Sequence, residues 1–254
     1  MGFNNLSPED ADDWFKLQAK WTFELREYIC RKIKIRRFTK FLELGSGTGI
    51  LLKYFRDKCE TGEFTGVESD SELAGFCSEN NPELIIKNSD SIDYLKNTRE
   101  SFDIITTHFY LMWDKNYKQV LERVKLLLKS DGYFLIIAEP DYGGVLESPE
   151  SIRSPMDIRS ITFFNGDPYI GRKLPSEIKK SGFKLVEHGL ISKMKSNLFP
   201  TKEEFLNEFE SYKLFWNKFE TEEKIIEVKE KIINHIERGE YFYFLPLMYF
   251  ILRP

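Results

Sequence analysis

An α/β fold built on a doubly wound, mostly parallel sheet is predicted by three features of this 254-residue chain. Short apolar runs alternate with helix-like segments from Lys40 to about Gly132. The first run breaks into three alternating glycines. A carboxylate, Glu68, follows about 20 residues beyond that break, where a βαβ unit brings it back to the turn. The runs at 41–44, 63–68, 83–87, 102–108 and 132–139 are short and apolar, as parallel strands covered on both faces should be. Helical segments near 48–59, 71–80, 91–97 and 116–129 lie between them and imply right-handed crossovers.

Residues 8–35 carry Trp14, Phe15, Leu17, Trp21, Phe23, Leu25, Tyr28 and Ile29 at the spacing of one or two amphipathic helices, and Ser7-Pro8-Glu9-Asp10 supplies a helix start. Next, Phe41-Leu42-Glu43-Leu44-Gly45-Ser46-Gly47-Thr48-Gly49 reads as a strand, a tight turn and a helix opening. Glycines there let a ligand lie directly on the main chain. Glu63-Phe64-Thr65-Gly66-Val67-Glu68 reads as a second strand whose terminal carboxylate can accept from both hydroxyls of a ribose. A nicotinamide dinucleotide suits the pattern poorly. Ile50 stands where its fingerprint wants the third glycine, and Glu43, just ahead of the first glycine, repels a second phosphate. An acid at that point suits a cationic group such as an amino-acid ammonium.

Beyond Glu139 the rhythm changes. Residues 140–174, rich in Pro, Gly and Asp, are expected to form an irregular excursion over the strand ends, followed by a short helix at 175–181 and a strand near 183–193. A helical stretch runs from Thr201 to about Arg238, opened by a capping box in Thr201-Lys202-Glu203-Glu204. The apolar run at 241–252, interrupted by Pro246, reads as extended.

Glu43-Leu44-Gly45-Ser46-Gly47-Thr48-Gly49 with Gly66-Val67-Glu68 resembles the first two cofactor motifs of the class I S-adenosylmethionine-dependent methyltransferases. Asn88-Ser89-Asp90 looks like that family's acidic motif beside the adenine, and Phe102-Asp103-Ile104-Ile105 like the opening of its fourth strand. Gly132-Tyr133-Phe134-Leu135-Ile136-Ile137-Ala138-Glu139-Pro140 is similar to its fifth strand. Asp167-Pro168-Tyr169-Ile170-Gly171-Arg172-Lys173-Leu174, with Ser181-Gly182-Phe183, resembles a small-molecule-type subset. The resemblance covers roughly residues 36–195. It implies a Rossmann-like, seven-stranded sheet closed by a final antiparallel strand. The expected organisation is an N-terminal helical cap at 1–37, a cofactor-binding core at 38–194, a helical insertion at 195–240 and the last core strand at 241–254. The alternative for the insertion is an appendage that makes a homodimer.

Ligands of open α/β sheets bind beyond the carboxyl ends of the strands. The resemblance implies S-adenosyl-L-methionine there, leaving as S-adenosyl-L-homocysteine. It implies main-chain contact along Gly45, Ser46, Gly47 and Gly49, Glu43 on the ammonium, Glu68 on the ribose diol, and Asp90 with Ser91 on the adenine. Ser69 and Thr107 stand at the neighbouring strand ends. Methyl transfer needs alignment above all, and a base where the acceptor is a hydroxyl or an ammonium. His108, at the end of the fourth strand, is the candidate base, or else a hydrogen-bonded histidine beneath the cofactor. Asp141 and Tyr142 are next, or else simply a turn. Tyr110 and Trp113 are candidates for an aromatic wall. Arg172 is a candidate for a substrate anion, or else an ion pair that ties down the excursion.

A net charge of −4 gives no general pull toward nucleic acid. No Asn/Asp-Pro-Pro-Tyr/Phe motif follows the fourth strand, which also counts against DNA as the substrate. The basic run at residues 31–37 reads as a solvated helix end, with RNA docking as the alternative. Cys30, Cys59 and Cys77 are widely spaced and lack metal-ligand spacing, so no metal and a reducing cytoplasm are expected. The N-terminus is not signal-like and the run at 241–252 is too short to span a bilayer. The expected protein is cytoplasmic, with no membrane partner, and transfers methyl groups to a small-molecule acceptor. RNA or protein methylation, a non-catalytic cofactor-binding relative and an NAD-dependent oxidoreductase remain as alternatives.

Overall fold

The computed structural model describes residues 6–59, 61–192 and 200–254. Two helices open the chain, α1 (Pro8–Trp21) and α2 (Phe23–Ile33); Ser7 caps the first by accepting from the Asp10 amide at 3.1 Å. Strand and helix then alternate through β1 (Lys40–Leu44), α3 (Ile50–Lys58), β2 (Glu63–Glu68), α4 (Ser71–Asn80) and β3 (Ile85–Asn88). The alternation continues with α5 (Ser91–Asn97), β4 (Phe102–Thr107), α6 (Tyr117–Leu127) and β5 (Leu128–Pro140). Next come β6 (Leu146–Ser148), α7 (Ser154–Phe163), α8 (Ile170–Lys180) and β7 (Lys184–Ser192). After residues 193–199 the chain continues as α9 (Lys202–Trp216), α10 (Glu222–Glu237), β8 (Phe242–Phe244) and β9 (Pro246–Arg253).

The main sheet has seven strands in the order β3-β2-β1-β4-β5-β9-β7. Strands β1 to β5 pair in parallel, and β9 lies antiparallel between β5 and β7. The chain winds outward from β1 to β3 and then returns to place β4 on the other side of β1. That reversal puts a crevice at the carboxyl ends of β1 and β4. Alternate residues fill the two faces: Leu42, Leu44, Phe134 and Ile136 on one, Phe41, Ile104, Leu135 and Ile137 on the other, all essentially inaccessible. Burial on both faces is why these strands carry apolar runs rather than alternation.

Two expectations are corrected, and the helical stretch at 201–238 gains detail. Residues 140–174 are not mainly irregular: they contain α7 and the start of α8, which begins at Ile170 rather than 175. Proline content misled. Pro155 lies in the first turn of α7, where a missing N–H is harmless, and Pro175 is tolerated inside α8 while Ile170, Leu174 and Ile178 are buried. The stretch at 201–238 is two helices, capped by Thr201, with the full capping box to Glu204, and by Thr221. The final apolar run is split. Segment β8 leaves the main sheet to pair with β6, and only β9 joins it. The boundary expected at 194/195 and the opening Met1–Asn5 lie outside the described residues.

Helices α1, α7, α9 and α10 share a third apolar cluster, rich in rings, above the carboxyl ends of the sheet. Trp14 of α1 meets Tyr212 and Phe215 of α9 edge-on, at centroid distances of 5.3 and 5.0 Å. No helix among the described residues is long and apolar enough to cross a membrane.

Candidate active site

The turn between β1 and α3 is bare main chain in a left-handed conformation, with φ of +68° at Gly45 and +52° at Gly47. Only glycine adopts this freely. A Cβ at Gly45 would lie 2.2 Å from the Tyr110 ring, and one at Gly47 would lie 2.7 Å from the Phe15 ring. The amides of Gly45 and Ser46 donate to the Val67 carbonyl at 2.9 and 3.1 Å, which locks the turn to β2. Glu68 completes the tie: its Oε2 accepts from the Gly47 amide and its Oε1 from the Asp70 amide, both at 2.9 Å. Asp90 caps α5 through Oδ1 alone, accepting from the Ile92 and Asp93 amides at 2.9 and 3.2 Å. Capping and ligand binding therefore compete for one of its oxygens only. These groups line a cavity of about 230 Å³, which α1 closes with Phe15, Gln18 and Ala19.

Beneath the turn lies a buried polar cluster. Glu43 is 2% exposed, its Oε2 has no hydrogen-bond partner, and burial raises its carboxyl well above the ordinary range. A cation in the cavity would supply what that oxygen lacks. Arg26 of α2 is buried behind it, donating through Nη2 to the Ala19 carbonyl at 2.6 Å, with its guanidinium 4.2 Å from the Tyr54 ring centroid. His108 Nε2 lies 3.0 Å from Thr22 Oγ1, and burial pushes the imidazole down to about 3.

One side chain of β5 gathers three successive amides of the loop after β4. Glu139, wholly buried at the end of β5, accepts at Oε1 from the amides of Tyr110 (3.0 Å) and Leu111 (2.8 Å), and at Oε2 from Met112 (3.2 Å). Burial nevertheless pushes its carboxyl up to about 8, against the pull of those three donors. Immediately before the clamp, Phe109 sits at φ +50°, a strained region for a bulky residue, with its amide on the Ala138 carbonyl at 2.9 Å. Its ring, with Gln18 and Trp113, belongs both to the first cavity and to a second, smaller one of about 30 Å³. The second cavity is walled mainly by rings, among them Trp14, Tyr142, Phe164 and Trp216.

Comparison with known proteins agrees with this geometry. Residues 42–134, the span from β1 to β5 that carries the glycine turn, match the family model described as a methyltransferase domain. Over that span the chain is similar to methyltransferase domains. A protein of Invertebrate iridescent virus 6 named as methyltransferase 235L is 24% identical over 97 residues, which is 38% of this chain and 36% of the viral one. That match thus spans about a third of the viral relative. The fold resembles an S-adenosylmethionine-dependent methyltransferase from Archaeoglobus fulgidus, with TM-score 0.56, 18% identity, and coverage of 95% of this chain and 99% of that one. It also resembles the cyclopropane synthase MmaA2 from Mycobacterium tuberculosis, with TM-score 0.56, 12% identity, and coverage of 90% and 83%.

The domain's cofactor, S-adenosylmethionine, fits the residues present. The glycine turn presents bare main chain to the cavity, with the Tyr110 and Phe15 rings packed close against it, and Glu43, whose Oε2 has no hydrogen-bond partner, lines the same cavity, as an ammonium-bearing ligand requires. Of the residues singled out from sequence for the cofactor, Glu43, Gly45, Ser46, Gly47, Glu68, Ser69, Asp90 and Ser91 line the cavity. Gly49 and Thr107 do not; Gly49 caps α3, and the buried Thr107 hydroxyl has no partner. Tyr110 and Trp113 line it, while Leu111 and Met112 are core.

The three candidate catalytic groups are not brought together. His108 lines the first cavity, but an imidazole held near 3 stays neutral and is a poor base at neutral pH. Asp141 is outside both cavities, bound through both oxygens to Arg172 Nε at 2.9 Å, the ion-pair alternative for Arg172. Tyr142 lines the second cavity, and burial raises its hydroxyl further from ionisation. Sequence reading missed Arg26 and Glu139 as site residues. The first was marked by a cation on the apolar stripe of Leu25, Ile29, Cys30 and Ile33, the second by an acid closing an apolar strand.

Proposed function

We propose that the protein transfers a methyl group from S-adenosylmethionine to a small-molecule acceptor, with α1, α7 and α9 forming the cap over the reaction. The observation that carries this is the second cavity. It is small, ring-walled, and divided from the cofactor cavity only by Phe109, Trp113 and Gln18. A nucleic acid or protein acceptor would call for an open groove, and none of the cations of the basic run at 31–37 lines either cavity.

The cofactor supplies a methyl group on a positively charged sulfur, so an acceptor lone pair forms the new bond to carbon as the carbon–sulfur bond breaks and a neutral thioether leaves. The chain's own residues hold and align. Glu43 would face the ammonium, Glu68 the ribose hydroxyls, and Asp90, through the oxygen not spent on capping, the adenine amino group. Phe109 and Trp113 set where an acceptor stops, and Glu139 fixes both through the loop amides. Alignment of this kind is the main thing methyl transfer asks of a protein. With His108 neutral, the proton displaced from the acceptor leaves to solvent.

The test is S-adenosylhomocysteine release by the full chain, fed separately with a low-molecular-mass cell extract, total RNA and denatured protein. Turnover is expected with the first alone. Turnover only with RNA or protein would overturn the reading.

A further inference from the structure

We propose that the second cavity anchors the acceptor and that it takes a compact molecule ending in an ammonium group; this rests on the methyltransferase reading above. The walls supply the first reason. Rings from α1, α7, α9 and the loops after β4 and β5 converge there, and ring faces carry negative charge density that attracts a cation and repels an anion.

The second reason is one carboxylate among those rings. Asp157 of α7 is 5% exposed and lines the cavity. Arg153 Nε donates to it at 3.0 Å and the Tyr243 hydroxyl at 2.7 Å. Both bonds fall on Oδ2. Arg153 supplies the opposite charge that a buried carboxylate needs. The same guanidinium lies 3.8 Å from the Tyr212 ring centroid and 4.4 Å from that of Tyr243. Asp157 lines the cavity whereas Arg153 does not, so an ammonium meets a carboxylate and rings there, while a carboxylate or phosphate meets no cation on the wall. The third reason is size. A cavity of about 30 Å³ holds little more than the ammonium itself, so the carbon chain would lie along Phe109 and Trp113, which also line the first cavity.

The test uses three probes of similar body, isopentylammonium, isopentanol and isovalerate, titrated calorimetrically into the full chain saturated with S-adenosylhomocysteine. Binding of S-adenosylhomocysteine is measured first, so its failure sinks the methyltransferase reading, while its success followed by failure of the amine sinks the anchoring site alone. The ammonium is expected to bind about tenfold or more tighter than the alcohol, and isovalerate not detectably. Phe164→Leu keeps apolar volume but removes a ring face; it should weaken the ammonium severalfold and leave the alcohol unchanged. Asp157→Asn should abolish the preference for the amine, its melting temperature being followed in parallel because Arg153 loses a partner. Equal binding of amine and alcohol by the unaltered chain, or tighter binding of isovalerate, overturns the proposal.

Discussion

The two cavities share Gln18, Phe109 and Trp113 but are made of different material. The first is built around a glycine turn and carboxylates at the tips of adjacent strands, tied together by short bonds from Gly45, Ser46 and Gly47 to β2. The second is a shell of side-chain rings drawn from as far apart as Trp14 and Trp216. A main-chain cradle admits little change, because any Cβ at Gly45 or Gly47 collides with a neighbouring ring. A ring-lined shell can be altered one side chain at a time while the sheet beneath stays intact. Cofactor recognition and acceptor recognition should therefore be separable by mutation, except at the Glu139 clamp, which serves both.

The largest effect is expected at that clamp. Glu139→Leu leaves three buried amides without an acceptor, at about 1–3 kcal/mol each, so urea unfolding should show a loss of at least about 3 kcal/mol, with both cavities impaired. Glu139→Gln should be milder and should change the pH dependence. The folded carboxyl keeps its proton up to about 8, whereas the unfolded one loses it near 4.5. The folded state thus binds more protons across that window, and stability falls as pH rises through it. Glutamine removes this contribution, at most about 1.4 kcal/mol per pH unit.

Next is Glu68→Ala, which strips two amides of their acceptor. Affinity for S-adenosylhomocysteine should fall about 100-fold, with probe binding in the ring-walled cavity retained. Loss of both would break the comparison. A third effect sharpens it. Because burial holds the Glu43 carboxyl well above its ordinary range, a ligand ammonium should expel its proton on binding. Affinity should then rise with pH by up to about tenfold per unit until the carboxyl of the free protein is itself ionised. Calorimetry in two buffers of different ionisation enthalpy reads the released proton. The smallest effect is Phe215→Leu, expected to weaken the acceptor about threefold to tenfold and leave cofactor affinity unchanged.

The cofactor half was legible in the sequence because its signals are local. A glycine turn after an apolar run, and an acid one βα unit later, each fix their own geometry, and Glu43, Glu68 and Asp90 do meet at one cavity. The ring-walled cavity was not, since no spacing relates Trp14, Phe164 and Trp216. The choice between base and hydrogen-bonded histidine at His108 was left open in the sequence because its burial and its bond to Thr22 depend on where α1 joins α2, which a strand-end motif does not reveal. Residues 140–174 were misread because proline was weighed by its presence rather than by its position within a turn of helix.

The most direct test of the central claim is a crystal structure of the full chain with S-adenosylhomocysteine. The ligand should lie on the main chain of Gly45 and Gly47, with its ribose on Glu68, its ammonium toward Glu43 and its sulfur facing the Phe109–Trp113 wall. Density for the ligand in any other place, or a ribose that leaves Glu68 untouched, would contradict it.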